Sequence, residues 1–254
     1  MEHIQKWQHK FEIRPGKWVF HPSAIGRRIG REIQSEIRSR WKPPPYYFHL
    51  RKGGHVSALK RHLNSDYFSI LDIKNFYGSI NRSRITRVLK PFIGYTKARD
   101  YALSSTAANP VPDEKGFILP FGFIQSPLLA SLCLNKSSLG IKLDQLHKKS
   151  DVVITVFMDD IVISSNDQAK LIETSQAIKI YAKKSGWILN QAKEAIALSQ
   201  IQAFNTLLSK NFIEITPERF AKFRDAYTAS LIPEQREGIQ RYITALNQVQ
   251  ASQL

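Results

Sequence analysis

Cysteine is nearly absent: Cys133 is the only one in 254 residues. This excludes an intramolecular disulfide framework and any multi-cysteine metal cluster. No apolar run is long enough to span a membrane, because the most apolar stretch, Phe117 to Leu134, is broken by Pro120, Gly122, Gln125 and Pro127. The first residues lack the apolar core of a secretory signal, so a soluble, cytoplasmic protein without membrane contact is expected. Internal repeats and low-complexity tracts are also missing. Acidic residues are scarce, 21 Asp and Glu against 37 Lys and Arg, for a formal net charge of +16. Such an excess suits a polyanionic partner. Hydrophobic residues make up 43%, enough to build a core. The length then predicts one compact catalytic domain, or two small lobes around a cleft.

The positive charge is uneven. Residues 1–60 carry 13 basic and 4 acidic residues, leaving a net of only +7 for the other 194. Arg27, Arg28, Arg31, Arg38, Arg40, Lys42, Arg51, Lys52 and Lys60 are interleaved with Trp18, Trp41, Tyr46, Tyr47 and Phe48. Basic groups contact phosphates and aromatic rings stack on bases, so the mixture suits a strand of nucleic acid lying across this region. The plainer alternative is a solvated basic helix followed by core aromatics.

Ile25, Ile29, Ile33 and Ile37 recur every four positions and predict an amphipathic helix from Ala24 to Trp41, ended by Pro43, Pro44 and Pro45. Tyr46 to Leu50 with Gly53 and Gly54 reads as a strand entering a hairpin, and Tyr67 to Ile73 as a strand. Helices are expected from Ser83 to Leu89 and from Thr96 to Ser105, with a loop from Asn109 to Gly116. Pro127 to Leu146 reads as one long apolar helix, with proline tolerated in its first turn. Two β-branched runs, Val152 to Val156 and Ile161 to Ser164, flank Asp159 and Asp160. A helix from Gln168 to Ser185 closes at Gly186, strand–turn–strand follows from Ile196 to Leu208, and two tail helices meet at Pro233. The mixture predicts an α+β fold.

Asp159 and Asp160 sit between runs that read as antiparallel strands. Adjacent carboxylates with apolar flanks repel one another and are costly unless a cation neutralises them. An Asp-Asp turn alone is weak, since aspartate favours turns. Asp72, at the end of another strand, changes the balance: three carboxylates on neighbouring strand ends can hold two divalent ions about 3.5–4 Å apart. His55 and His62 have no ligand-like spacing and read as hydrogen-bonding surface residues.

At these residues the sequence resembles the reverse transcriptases. Asp72–Tyr77 (DIKNFY) is similar to motif A, and Phe157–Asp160 (FMDD) to motif C, with 87 residues from Asp72 to Asp159. Leu119–Pro127 (LPFGFIQSP) resembles motif B, Gly186–Lys193 (GWILNQAK) motif D, and Phe204–Leu207 (FNTL) stands where motif E is expected. The likeness runs from about Tyr46 to Ile215 and is nearest the compact bacterial types of retrons, abortive infection and phage defence. It implies a right-hand polymerase with fingers and palm over 46–215, an antiparallel palm sheet backed by helices, a basic helical extension over 1–45 and a minimal helical thumb over 216–254.

The resemblance further implies that Asp72, Asp159 and Asp160, with the backbone of Ile73, hold two Mg²⁺ ions, Mn²⁺ being an alternative. Ile73, Lys74, Asn75 and Phe76 would cradle the dNTP triphosphate, and Tyr77 would exclude a ribose 2′-hydroxyl. Lys193 is implied as the acid that protonates the pyrophosphate. Arg51, Lys52, Lys60 and Arg61 are candidates for fingers contacts to the triphosphate, and with Arg27, Arg28 and Arg31 for nucleic-acid contacts. Motif B departs from the family pattern: Phe121 replaces the usual glutamine, Gln125 stands four positions later, and Gly122 keeps the flexible position. Gln125 and Gly122 are therefore the dNTP-site candidates of this motif.

Only 39 residues follow Ile215, so any thumb is small and low processivity is expected. A partner subunit, a second copy or a structured RNA would supply the clamp. No integrase, nuclease or RNase H segment is recognisable. The expected activity is RNA-directed DNA synthesis from dNTPs on an RNA template or non-coding RNA, in anti-phage defence. Template-independent or protein-primed DNA synthesis is the alternative within the class. A catalytically silent nucleic-acid-binding scaffold is the alternative outside it, and a two-metal nuclease would leave motifs B and D without a purpose.

Overall fold

Trp7–Arg14 and Lys17–Pro22 are rich in aromatic and β-branched residues on either side of Pro15 and Gly16, and the chain turns there into a hairpin of strands β1 and β2. The computed structural model describes residues 6–112, 114–149 and 151–254. After the hairpin come helices α1 (Ala24–Arg40) and α2 (Gly54–Lys60), strand β3 (Tyr67–Asp72), and helices α3 (Arg82–Ile93) and α4 (Tyr95–Ser105). Short strands β4 (Ala107–Ala108) and β5 (Phe117–Ile118) lead to helices α5 (Ser126–Asn135) and α6 (Ser138–His147). The hairpin β6 (Val153–Phe157) and β7 (Asp160–Ser165) precedes helix α7 (Gln168–Lys184). Strands β8 (Ala195–Leu198), β9 (Gln200–Ala203), β10 (Thr206–Ser209) and β11 (Phe212–Ile215) follow. Helices α8 (Pro217–Ala229), α9 (Pro233–Leu246) and α10 (Gln248–Ala251) end the chain.

Contacts divide the chain into two units that interleave in sequence. The first comprises Met1–Pro45, Ile73–Asp144 and Tyr181–Ile188; the second comprises Tyr46–Asp72, Gln145–Ile180 and Leu189–Leu254. In the second unit an antiparallel sheet has the order β6-β7-β3-β8. A second sheet, β11-β10-β9, shares its core: Phe68, Ile70 and Val162 pack with Ile201, Leu208 and Ile213, and with Phe220, Ile243 and Leu246 of the tail helices. Gln250 fixes that tail by accepting from the Ile215 N–H at 2.8 Å and donating to its carbonyl at 2.9 Å. A helix backs the sheet, with the Ser175 hydroxyl of α7 donating to Ser69 of β3 at 3.2 Å.

In the first unit, Ser23 caps α1 by accepting from the Gly26 N–H at 3.0 Å, which satisfies a donor the helix leaves open. The buried face of α1 is Gly26, Gly30, Ile33 and Ile37, while Ile25 is 43% exposed. Gly30 is needed because a Cβ there would lie 2.5 Å from Gln125 Oε1 and 2.6 Å from Ile124 Cγ1.

Several local expectations are corrected. Residues 1–45 are not helical throughout, since the β1–β2 hairpin precedes α1; residues 1–5 lie outside the described residues. Tyr46 to Gly54 is not a strand entering a hairpin: a 3₁₀ turn spans Phe48–Leu50, and Gly53, at φ +89°, starts α2. The segment meets the sheet at one parallel bridge, Tyr47 to Val156, where the Val156 N–H donates to the Tyr46 carbonyl at 2.8 Å. The long helix after Pro127 is two helices, because the chain breaks at Lys136 and Ser137 before α6. Trp41, Tyr46, Tyr47 and Phe48 are at most 8% exposed, so these rings are core and not a stacking platform for bases.

Candidate active site

In the second unit, β3 and β7 pair so that Asp72 stands opposite Asp160. The pairing of Phe157 with Asp160 leaves Met158 and Asp159 as the two-residue turn of the β6–β7 hairpin. Met158 adopts φ +60°, a left-handed conformation that costs a non-glycine residue about 1–2 kcal/mol. It is held there by its N–H, which donates to His49 Nδ1 at 3.1 Å. Burial pushes the His49 imidazole down to about 4, against an opposing backbone hydrogen bond with Val156, so the ring is neutral at pH 7 and its Nδ1 accepts. His49 carries no sequence signal, because a lone histidine between Phe48 and Leu50 has no motif. For the nucleotide-adding activity that the resemblance of motifs A and C implies, replacing it with alanine is expected to release the turn and lower kcat about 10–100-fold, as small displacements of catalytic groups do. Glutamine, which can still accept, should recover part of that loss in a single-nucleotide extension assay.

Asp72 is 3% exposed. The Asp160 carboxyl is raised from 3.8 to about 7, first by burial, then by the charge of Asp159 and then that of Asp72; Lys193 opposes the shift. Lys193 Nζ donates to Asp72 Oδ2 at 2.8 Å. That bond is the main cause of the raised Lys193 value, so the side chain is an ammonium at neutral pH. The Asn190 N–H donates to the Asp72 carbonyl at 2.8 Å, which brings the motif D segment beside β3. Among the described residues no three Asp, Glu, His or Cys side chains are gathered so as to hold a metal ion as they stand. The donor chemistry nonetheless fits Mg²⁺: an all-oxygen set, partly buried, with one carboxyl driven toward protonation by burial and then by its carboxylate neighbours.

The remaining motif residues form their own cluster in the first unit. Tyr77 is 5% exposed and packs edge-on against Phe121, with ring centroids 4.4 Å apart. Lys17 Nζ lies 4.6 Å from the Phe121 ring centroid, within cation–π range. A cavity of about 130 Å³ is lined by Asn75 and Gly78 of the motif A segment, by Leu119 and Phe121 of motif B, and by Trp18 of the hairpin. Gly122, at φ +98°, is fixed by its setting: a Cβ would meet the Phe20 carbonyl oxygen at 2.1 Å, where the Phe20 N–H donates to the Phe121 carbonyl at 2.9 Å.

Two dNTP candidates have other engagements. The Lys74 N–H donates to the Ile188 carbonyl at 2.8 Å, so it is not free to cradle a triphosphate. Gln125 is 1% exposed and donates to Ser105 Oγ at 3.4 Å, a packing position rather than a displayed one. Arg27 is half-buried and donates to the Pro22 carbonyl at 2.7 Å. Arg28, Arg31, Arg51, Lys52, Lys60 and Arg61 are exposed. His62 is a hydrogen-bonding residue but not a surface one, being fully buried and bonded to Ser164 and Thr155 at 2.8 Å each. His55 bonds the Tyr242 hydroxyl at 2.9 Å and packs against Phe157 and Phe204, linking motif C, motif E and α9. Among the described residues no helix is long and apolar enough to cross a membrane.

Comparison with solved structures shows the same fold at low identity. The foamy viral protease-reverse transcriptase dRH in complex with double-stranded DNA matches with a TM-score of 0.50 at 16% identity, over 91% of this chain and 34% of that one. Telomerase from Candida albicans in complex with a fragment of telomeric RNA matches at 0.55 and 9%, over 90% and 47%. Apo telomerase from Candida tropicalis matches at 0.55 and 10%, over 79% and 42%. The chain therefore spans about a third to a half of the length of these relatives. The family described as reverse transcriptase (RNA-dependent DNA polymerase) matches residues 8–234, which takes in the β1–β2 hairpin and every motif from Asp72 to Leu207. On that match the chain belongs to the reverse transcriptase family.

Proposed function

We propose that the protein is an RNA-directed DNA polymerase that adds dNTPs to a primer 3′-hydroxyl. The observation that carries the reading is the register placing Asp72 opposite Asp160, with Asp159 in the adjoining turn. Asp72, Asp159 and Asp160 would hold two Mg²⁺ ions, or Mn²⁺. Bound there, the cations would lower the pKa of the attacking hydroxyl and offset charge on the departing pyrophosphate. The primer oxygen forms a bond to the α-phosphorus of the dNTP, the α–β bridging bond breaks, and the 3′-hydroxyl proton is lost to solvent. Lys193 carries its proton at Nζ, held by Asp72, and is the group to donate it to pyrophosphate.

Tyr77, five residues after Asp72 in the chain, is the proposed gate against ribose. Its packing on Phe121 supports a fixed ring. Tyr77→Ala is expected to raise NTP use relative to dNTP use about 10–100-fold, and unchanged discrimination in steady-state incorporation would remove the assignment. Phe121 in the glutamine position favours carrying a second reading, template-independent or protein-primed synthesis on the same site. The likeness of LPFG…SP to the compact bacterial types is the ground for placing the enzyme in anti-phage defence with a non-coding RNA. A partner subunit or second copy would complete its hold on the product.

The test supplies purified protein with labelled dNTPs, Mg²⁺ and primed RNA, with and without template. Incorporation by wild type that is lost in Asp159→Ala/Asp160→Ala supports the reading, and sequencing the product separates templated from untemplated synthesis. No incorporation by wild type, or equal incorporation by the double variant, overturns it.

A further inference from the structure

Helices α3 and α4 carry a feature that polymerase chemistry does not use. Residues 82–105 contain six basic residues and a single acid, Asp100. An open cavity of about 490 Å³ lies between the two helices, lined by Arg82, Arg87, Lys90, Arg99, Thr86 and Tyr95 among others, none of them acidic. Arg87, Lys90 and Arg99 are exposed. Among the described residues none of the four cations is paired with a carboxylate.

Two of the cationic groups, Arg82 and Arg99, are held in place. The Arg82 guanidinium lies 3.2 Å from the Phe117 ring centroid and its Nε donates to Thr106 Oγ1 at 2.8 Å. Arg99 donates to the Tyr95 hydroxyl at 3.3 Å. The arrangement is electrostatically unfavourable by itself: after burial, the charge of Arg99 is what lowers Arg82, and the charge of Arg82 is what lowers Lys6. Tyr95 is 53% exposed at the start of α4.

We propose that the α3–α4 cavity is a docking site for single-stranded RNA, with Arg82, Arg87, Lys90 and Arg99 on its phosphates and Tyr95 stacked on an unpaired base. Phosphates would relieve the repulsion among the cations, and an exposed ring beside a cationic track is how proteins hold unpaired bases. A free nucleotide shares the phosphate chemistry, but four cations spread over two helices suit several successive phosphates better than one. The choice of RNA rests on the polymerase reading, whereas the anion chemistry of the cavity does not.

The test measures binding of fluorescent oligouridine to the full chain by anisotropy, with excess unlabelled primer–template duplex present. Arg87→Glu/Lys90→Glu should weaken binding at least about tenfold and flatten the salt dependence by about two in slope. Arg87→Gln/Lys90→Gln should give a smaller loss in the same direction, and Tyr95→Ala should weaken oligouridine binding several-fold. Lys183→Glu/Lys184→Glu, the same charge change on α7, should leave binding within about twofold. Primer extension at saturating substrate should persist in all four variants. The proposal is overturned if the α3 reversal leaves affinity unchanged or the α7 reversal costs as much. It is equally overturned if ATP or inorganic phosphate binds the cavity and oligouridine does not compete. Absence of dNTP incorporation by wild type would sink the polymerase reading and leave these binding results standing.

Discussion

Asp160→Asn is expected to abolish dNTP incorporation while raising the melting temperature of the metal-free protein. The loss of activity follows from the charge: the substitution keeps the shape of the side chain and removes one of the three carboxylates proposed to hold the cations. Several kcal/mol of transition-state stabilisation rest on that charge, which corresponds to at least about 10²–10³-fold in kcat. The gain in stability follows from the burial of that charge beside Asp159 and Asp72. A carboxyl raised from 3.8 to about 7 binds its proton more tightly folded than unfolded, so ionising it at pH 8 opposes folding. Asparagine removes that penalty, on the order of 2–4 kcal/mol, which for a chain of this size is roughly 5–15 °C. Mg²⁺ should then stabilise wild type and leave the variant nearly unmoved. Differential scanning fluorimetry with EDTA or Mg²⁺, beside a single-nucleotide extension assay, reads both effects. A variant that is active, or whose metal-free midpoint falls, counts against a cation-demanding cluster.

The residues that carry this prediction were legible in the sequence because carboxylates at the ends of apolar strands have few other uses. Asp72 follows FSIL and Asp159-Asp160 precede IVIS, and the paired register of β3 and β7 brings them opposite each other. The supports of the site were harder to read. His49 and His62 act through hydrogen bonds to distant segments, and a lone histidine has no periodicity or spacing to betray it. Tyr46 and Tyr47 read as a strand because aromatic residues favour strands, but tertiary packing buries both rings and leaves one bridge, from Tyr47 to Val156. The β1–β2 hairpin does carry a signal in the sequence: Pro15-Gly16 between two β-prone runs is a turn signature. The glycines of α1 could not be read as a buried face, since Gly30 faces inward only because motif B approaches within reach of its missing Cβ.

The same sheet yields the second large effect, an acid sensitivity centred on His62. Its ring is wholly buried, bonded through Nδ1 to Ser164 and through Nε2 to Thr155, and Ser164 in turn donates to Ser65 at 2.8 Å. Burial, with the charge of Arg61 second, pushes the imidazole down to about 3. The unfolded chain, with its histidine near 6.5, therefore binds a proton that the folded protein refuses. This contribution to stability is complete above pH 6.5 and is lost as pH falls toward 3, amounting to about 2–3 kcal/mol between pH 7.5 and pH 4.5. Asp160 has the opposite sign over the same interval, because its folded value of about 7 lies above the unfolded one, and acidification relieves its ionic penalty by about 3–4 kcal/mol. In wild type the two nearly cancel. Asp160→Asn should therefore become clearly less stable from pH 7.5 to 4.5 in urea titrations, whereas His62→Gln, which keeps polar partners for both hydroxyls, should become more stable. His62→Ala should lose about 3–5 kcal/mol at pH 7.5, since it leaves a cavity and two buried hydroxyls without their shared partner. Parallel pH dependence in the asparagine and glutamine variants would show that neither group titrates as its surroundings require. Opposed slopes would tie both groups to the β6–β7 hairpin, where the neutral His62 bonds Thr155 and Ser164 and Asp160 stands opposite Asp72, with the histidine supplying rigidity that the buried carboxylates remove.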